Sequence, residues 1–376
     1  MISLHISPKI LRWAADQRGL SLDALADLLG PPSKHEDFLA GNLSIAQTET
    51  LAKKTHIPFG YFFLDHPPEI AARTIPDLRQ TANPEPLSID FNEVFDDILR
   101  KQQWYLEYLQ DQNVSKLDFV GKFSFNAGLP VEEIAEDIKQ ILGLTDYERQ
   151  QCQDYSKFYA LLSEKAESIG ILVFKNGVVK SSSRRGLSVK EFRGFAIADS
   201  YAPVIFINGK DSKTAWIFTL AHELAHIWLG ESGVSDLPDK RQVGYNNLEA
   251  YCNRIAAEFL TPKQQFLAAW EHAVAPQFEA LSKIFKVSKL VIARRALDLG
   301  KIDRATYQTV AASSNQQISS GDGDAYLNVP IRNSKKLTHA IVTAAMSNGM
   351  LLREAASLLN VKTETVMELS KRLGIR

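Results

Sequence analysis

His222-Glu223-Leu224-Ala225-His226 is the stretch that decides how this chain is read. On an α-helix, residues four apart share a face, so both imidazoles can reach one metal ion. Glu223, beside the first of them, has the chemistry of a general base acting on a metal-bound water. The flanks favour a helix. Trp216, Ile217, Leu220, Leu224, Ile227 and Trp228 recur at helical spacing, with no proline or glycine until Gly230. The same pattern also suits a partly buried helix with two hydrogen-bonded histidines, so the remaining ligands have to be sought elsewhere.

A hydrolytic zinc site takes three protein ligands and a water. Glu249, in Leu248-Glu249-Ala250-Tyr251-Cys252-Asn253, follows His226 after enough chain for a loop and a returning helix. Asn253 lies one turn further on the same face, where its amide can orient a ligating imidazole. Small Ala256 and Ala257 allow close helix packing, and Pro262 marks the end of that helix. Competing third ligands are Glu258, at poor helical spacing from Glu249, the soft Cys252, Asp236 and Asp239 in the intervening loop, and His272.

Composition sets the frame. The 376 residues carry a net charge of -1 and are 45% hydrophobic and 23% charged, which suits two or three soluble domains with no global pull toward nucleic acid or membrane. Two cysteines, Cys152 and Cys252, do not make a disulfide framework. With no apolar run long enough to span a bilayer and no signal-peptide pattern, a cytoplasmic protein is expected.

Outward from the motif, β-type runs are expected at Gly170 to Phe174, Phe192 to Ala198 and Val204 to Asn208. Asp211 or Ser212 caps the motif helix. Val204 to Asn208 is read as the edge strand on which an extended substrate pairs. Helices are expected at Phe91 to Gln110, Pro130 to Leu142 and Tyr155 to Ser168, and almost continuously from Leu248. Nearer the start, Ile10 to Gln17, Leu22 to Leu29 capped by Ser21, a turn or helix near Ser33 to Leu39, and Ile45 to Thr55 have the spacing of a helix-turn-helix.

In this order and spacing the chain resembles the ImmA/IrrE family of metallo-endopeptidases with an N-terminal XRE-type helix-turn-helix. The resemblance runs through Ile10-Leu11-Arg12-Trp13-Ala14 to Leu29, Ile57 to Leu64, Ile75-Pro76-Asp77-Leu78-Arg79, Phe192-Arg193-Gly194-Phe195-Ala196 and Ala202 to Asn208. It peaks in Thr219-Leu220-Ala221 with the His-Glu-Leu-Ala-His motif, and in Glu249 to Pro262. It implies a zincin-like domain with His222, His226 and Glu249 as metal ligands and Glu223 as base. The metal would be zinc, with manganese a possibility, and the substrate a partner repressor or antitoxin of the XRE type.

The expected fold is α+β and mostly helical: a zincin-like peptidase domain with a small antiparallel sheet, flanked by helix-turn-helix-like parts. The expected domains are an XRE-like unit at 1–68, a linker at 69–90, the peptidase domain at 91–270, a helical segment at 271–315, a flexible linker at 316–328 and a basic C-terminal segment at 329–376. DNA binding by the first unit is poorly supported, because residues 1–70 hold six basic residues against eight acids, and Glu36 and Asp37 fall in the expected recognition segment Pro31 to Leu39. Residues 275–305 (net +4) and 330–376 (net +5) are more basic and also have helix-turn-helix rhythm. The alternative to a peptidase is a DNA- or protein-binding regulator with a structural or silent metal site.

Overall fold

The computed structural model describes residues 3–16, 20–27, 29, 35–55, 57, 59–67, 87–235, 247–272, 277–313 and 325–375. They divide into two compact units, one of the described residues up to 67 with 87–93 and one of those from 94 onward.

The first unit contains β1 (Ser3–His5), α1 (Pro8–Asp16), α2 (Leu22–Asp27), α3 (His35–Leu39), β2 (Asn42–Ser44), α4 (Ile45–Thr55) and a 3-10 turn at Phe59–Phe63. Ser21 caps α2 as expected, its hydroxyl accepting from the Ala24 N–H at 3.1 Å. Ile10, Leu11, Ala14, Leu25, Phe38, Leu51 and Phe62 make the core. The antiparallel pair β1–β2, with Leu4 opposite Leu43, has no counterpart in the sequence reading. Of the segment Pro31 to Leu39, residues 31–34 lie outside the described residues, and α3 covers the rest.

The second unit begins within α5 (Ile89–Asp111) and continues through α6 (Val131–Leu142), α7 (Asp146–Gln151), α8 (Tyr155–Ser168), β3 (Leu172–Asn176), β4 (Gly194–Ile197), β5 (Val204–Asn208), α9 (Lys213–Leu229), β6 (Gly233–Ser235) and α10 (Asn247–Leu260). It closes with α11 (Lys263–His272), α12 (Gln277–Phe285), α13 (Lys289–Asp298), α14 (Arg304–Ser313), α15 (Ala325–Arg332), α16 (Lys335–Met346), α17 (Leu352–Leu359) and α18 (Thr363–Leu373).

The sheet corrects two expectations. Its strand order is β3-β5-β4-β6, and β3 pairs parallel with β5 while the other pairs are antiparallel, so the sheet is mixed rather than antiparallel. Val204–Asn208 is not an edge. It lies between β3 and β4, and all five of its residues are buried. An unbroken Val-Ile-Phe-Ile run is what a strand covered on both faces requires. Val173, Ala196, Ile205 and Ile207 join the core that contains α9. Alternate positions carry Phe195 and Phe206, stacked at 5.0 Å, with Phe95 of α5 edge-on to Phe195 at 5.3 Å.

The C-terminal helices are tied to this framework. The buried Glu167 at the end of α8 accepts from the Ser334 hydroxyl at 2.5 Å and the Lys336 N–H at 3.3 Å, at the N-terminus of α16. The Asn360 amide donates to Asp97 at 2.8 Å, and Arg100 donates to the Ser357 carbonyl at 3.1 Å. α15 and α16 pack against β3. α17 and α18 are separated by residues 360–362, with Asn360 at φ 55°, a helix-turn-helix spacing.

Of the linker expected at 69–90, residues 69–86 lie outside the described residues, and Ile89 and Asp90 already open α5. Of that at 316–328, residues 316–324 lie outside them, and 325–328 belong to α15. No helix among the described residues is long and apolar enough to cross a membrane.

Candidate metal centre

α9 is fixed at both ends. The Ser212 hydroxyl accepts from the Ala215 N–H at 3.3 Å, and Gly230, at φ 70°, closes the helix with its N–H on the Ile227 carbonyl. Every residue from Thr219 to Leu229 is buried. This is a helix enclosed on all sides, which is why its sequence has no polar stripe. α10 packs against it, and Leu248, Cys252, Ile255 and Ala256 join the same core.

This packing brings His222, His226 and Glu249 together. Their ligand atoms all lie within 4.8 Å of one another. The two Nε2 atoms are 3.1 Å apart, and Glu249 oxygens lie 3.1 Å from His222 Nε2 and 2.9 Å from His226 Nε2. Solvent exposure is 3% at His222 and 0% at Glu223, His226 and Glu249. The donor set fits a cation: tetrahedral zinc with ligand distances of about 2.0–2.1 Å separates its ligand atoms by about 3.3 Å, close to the spacing found here. Two ring nitrogens and a carboxylate converging away from water are otherwise costly to bury.

The charges around the cluster are coupled. Burial opposes a charged His222, but the Glu249 carboxylate beside it prevails and raises it to about 9. Burial likewise opposes the Glu249 charge, and the two imidazoles overcome that and hold it down at about 2. Burial lowers His226. Asn253 stands where the sequence reading puts it, its side-chain oxygen 3.0 Å from His222 Nδ1.

The rival ligands are elsewhere. Glu258 is engaged by Arg295 and accepts from the Lys263 N–H at 2.9 Å. Cys252 is fully buried, and it is not part of the group whose ligand atoms converge. His272 is exposed at the end of α11. Asp236 and Asp239 lie outside the described residues. Sequence reasoning passed over Gly194, which lies against the Glu223 carboxylate. A glycine inside a strand is the available sign of such a close approach.

Residues 166–297 match the family model for peptidase M78, described as the IrrE N-terminal-like domain, and residues 333–372 match that of a domain of unknown function, DUF8813. No curated protein matches the chain. The first match runs from the end of α8 into α13 and spans the whole cluster. Residues 166–297 are therefore similar to the metal-dependent peptidase domain of the ImmA/IrrE type.

Proposed function

We propose that this protein is a metal-dependent, site-specific endopeptidase that cuts one partner, a transcriptional repressor or antitoxin of the XRE type, and so relieves repression. The buried His222–His226–Glu249 cluster, with Glu223 on the same helix, carries this reading. Zinc suits two imidazoles and a carboxylate, and manganese is the alternative. When bound, the cation would supply Lewis acidity for the scissile carbonyl and for the attacking water.

The chain's own residues supply the rest. His222, His226 and Glu249 hold the cation, and Asn253 fixes the orientation of the His222 ring. Glu223 takes a proton from the attacking water as its oxygen bonds to the scissile carbon. It then delivers that proton to the leaving amine as the C–N bond breaks. Burial excludes bulk water from the base. Among the described residues β6 lies at one edge of the sheet, and Ser235 on it is opposite Gly194, beside Glu223. An extended substrate segment adding to that edge would run on the far side of β6, about 10 Å from β4.

The test compares wild type with Glu223→Gln, His226→Ala and Glu249→Gln. Elemental mass spectrometry should find near-stoichiometric metal in wild type and Glu223→Gln, and less in the other two. New protein N-termini in cells expressing wild type, absent with Glu223→Gln, should map to one repressor or antitoxin. Unchanged N-termini alongside a metal-loaded protein would favour a binding protein with a silent site.

The α17–α18 arrangement favours a second reading, nucleic-acid docking by these two C-terminal helices. The exposed part of α18 carries Lys371 and Arg372 but also Glu364, so its phosphate contacts would be few. Salt-sensitive DNA binding lost on Lys371→Ala with Arg372→Ala would support it. Binding that the double variant leaves unchanged would count against it.

A further inference from the structure

Gly194 stands where β4 passes α9. A Cβ at this position would lie 2.6 Å from Thr219 Cγ2, 2.8 Å from Glu223 Oε1 and 2.9 Å from the Phe206 carbonyl oxygen. Real Cβ atoms do not approach other atoms so closely. Gly194 is not among the positive-φ glycines, so its backbone conformation does not call for glycine. What the position requires is the absence of a side chain.

The surroundings leave one way to make room. The Phe206 carbonyl belongs to β5, the central strand, and β4 is held on both edges, Gly194 facing Ile207 on one side and Ser235 on the other. The residues before it are pinned as well. The Asn208 N–H donates to the Arg193 carbonyl at 2.8 Å, its side-chain amide donates to the Phe192 carbonyl at 3.1 Å, and Arg193 pairs with the buried Asp211. Thr219 is 4% exposed and β-branched, hence stiff in a helix. Thr219 and Glu223 are one turn apart on α9, so both line the strip that β4 covers. Of the three atoms, only the carboxylate of Glu223 ends a flexible side chain.

We infer that Gly194 is a positioning residue. Its bare backbone is the wall that sets the Glu223 carboxylate beside the His222–His226–Glu249 cluster, and any side chain there displaces the base while leaving the three ligands in place. This rests on the reading of Glu223 as the base.

The test loads the full-length protein with cobalt(II) and titrates it with acetohydroxamate, followed by visible absorption. A hydroxamate chelating a metal also hydrogen-bonds a neighbouring carboxylate, so its affinity reports where Glu223 sits. Gly194→Ala and Glu223→Gln should each retain stoichiometric cobalt and bind acetohydroxamate about tenfold more weakly, the loss of one charge-assisted hydrogen bond. The double variant should be no weaker than either single one, because both act through the same carboxylate. Should Gly194→Ala alone fail to fold, Gly194→Ala with Thr219→Ser removes the methyl at 2.6 Å, and that pair carries the comparison.

Wild-type affinity in Gly194→Ala, additive losses in the double variant, or loss of cobalt from every folded Gly194→Ala protein would overturn the role of Gly194 alone. A wild type that takes up no cobalt would overturn the metal-site reading beneath it.

Discussion

Each imidazole of the cluster offers one nitrogen to a cation and has one left over, and the two leftovers differ. His222 Nδ1 donates to Asn253, which leaves the Nε2 lone pair free for a metal. His226 Nδ1 is buried with no hydrogen-bond partner among the described residues. Asn253→Ala should therefore lower metal affinity by about 10- to 100-fold, read by competition against a chromophoric chelator, with the fold retained. An unchanged affinity would remove Asn253 from the site. In the metal-free protein His222 keeps its proton up to about 9. A cation must displace that proton, so metal uptake should weaken as pH falls below that value. The step from Glu249 to Asn253 rests on helical spacing, which is local, whereas Glu249 itself lies on a different helix from His226 and only chain length and resemblance pointed to it. Glu258, set aside on spacing, is engaged by Arg295, 37 residues away, and no local pattern names that partner.

Elements were read well where their signals are local and poorly where pairing decides. Ile45–Thr55 and Tyr155–Ser168 have the bounds expected from periodicity, and Ser212 caps α9. β6 was missed because three residues, Gly-Val-Ser, hold no alternation, and the parallel β3–β5 register joins segments that are not neighbours in the chain. The contact between α8 and α16 is equally non-local. Burial raises Glu167 above the usual carboxylate value of 4.5, so the folded state keeps its proton to higher pH than the unfolded chain. Its contribution to stability is fully present below that value and is lost as pH rises through the folded pKa. Wild type minus Glu167→Gln in unfolding free energy should accordingly decline with rising pH from about 4.5. A flat difference would show that Glu167 titrates as it does in the unfolded chain.

Across the whole second unit, the C-terminal helices form part of the framework that holds the peptidase-like domain. Asp97 and Lys101 of α5 form a buried ion pair, and Asp97 also receives Asn360 from the turn between α17 and α18. Burial works against the Asp97 charge, and Lys101 beside it keeps the carboxyl low. Asp97→Asn leaves Lys101 buried without its counter-charge, and should cost about 3–5 kcal/mol in denaturant unfolding. Asp97→Asn with Lys101→Met should recover much of that. A single variant as stable as wild type would show that the ammonium finds water. None of this was visible from composition, where residues 330–376 read as a separate basic segment. α9 follows β5 and precedes β6, so both its ends are anchored in one sheet, whereas Glu249 arrives on α10 after a further stretch of chain. A cation joining His226 to Glu249 would close a ring between residues 23 apart in the chain. Held only while the chain is folded, it would act as a removable cross-link that the unfolded chain lacks. Resistance to heat would then rise with the logarithm of free metal once the site is saturated, and the lifetime of the folded molecule would register the metal supply around it.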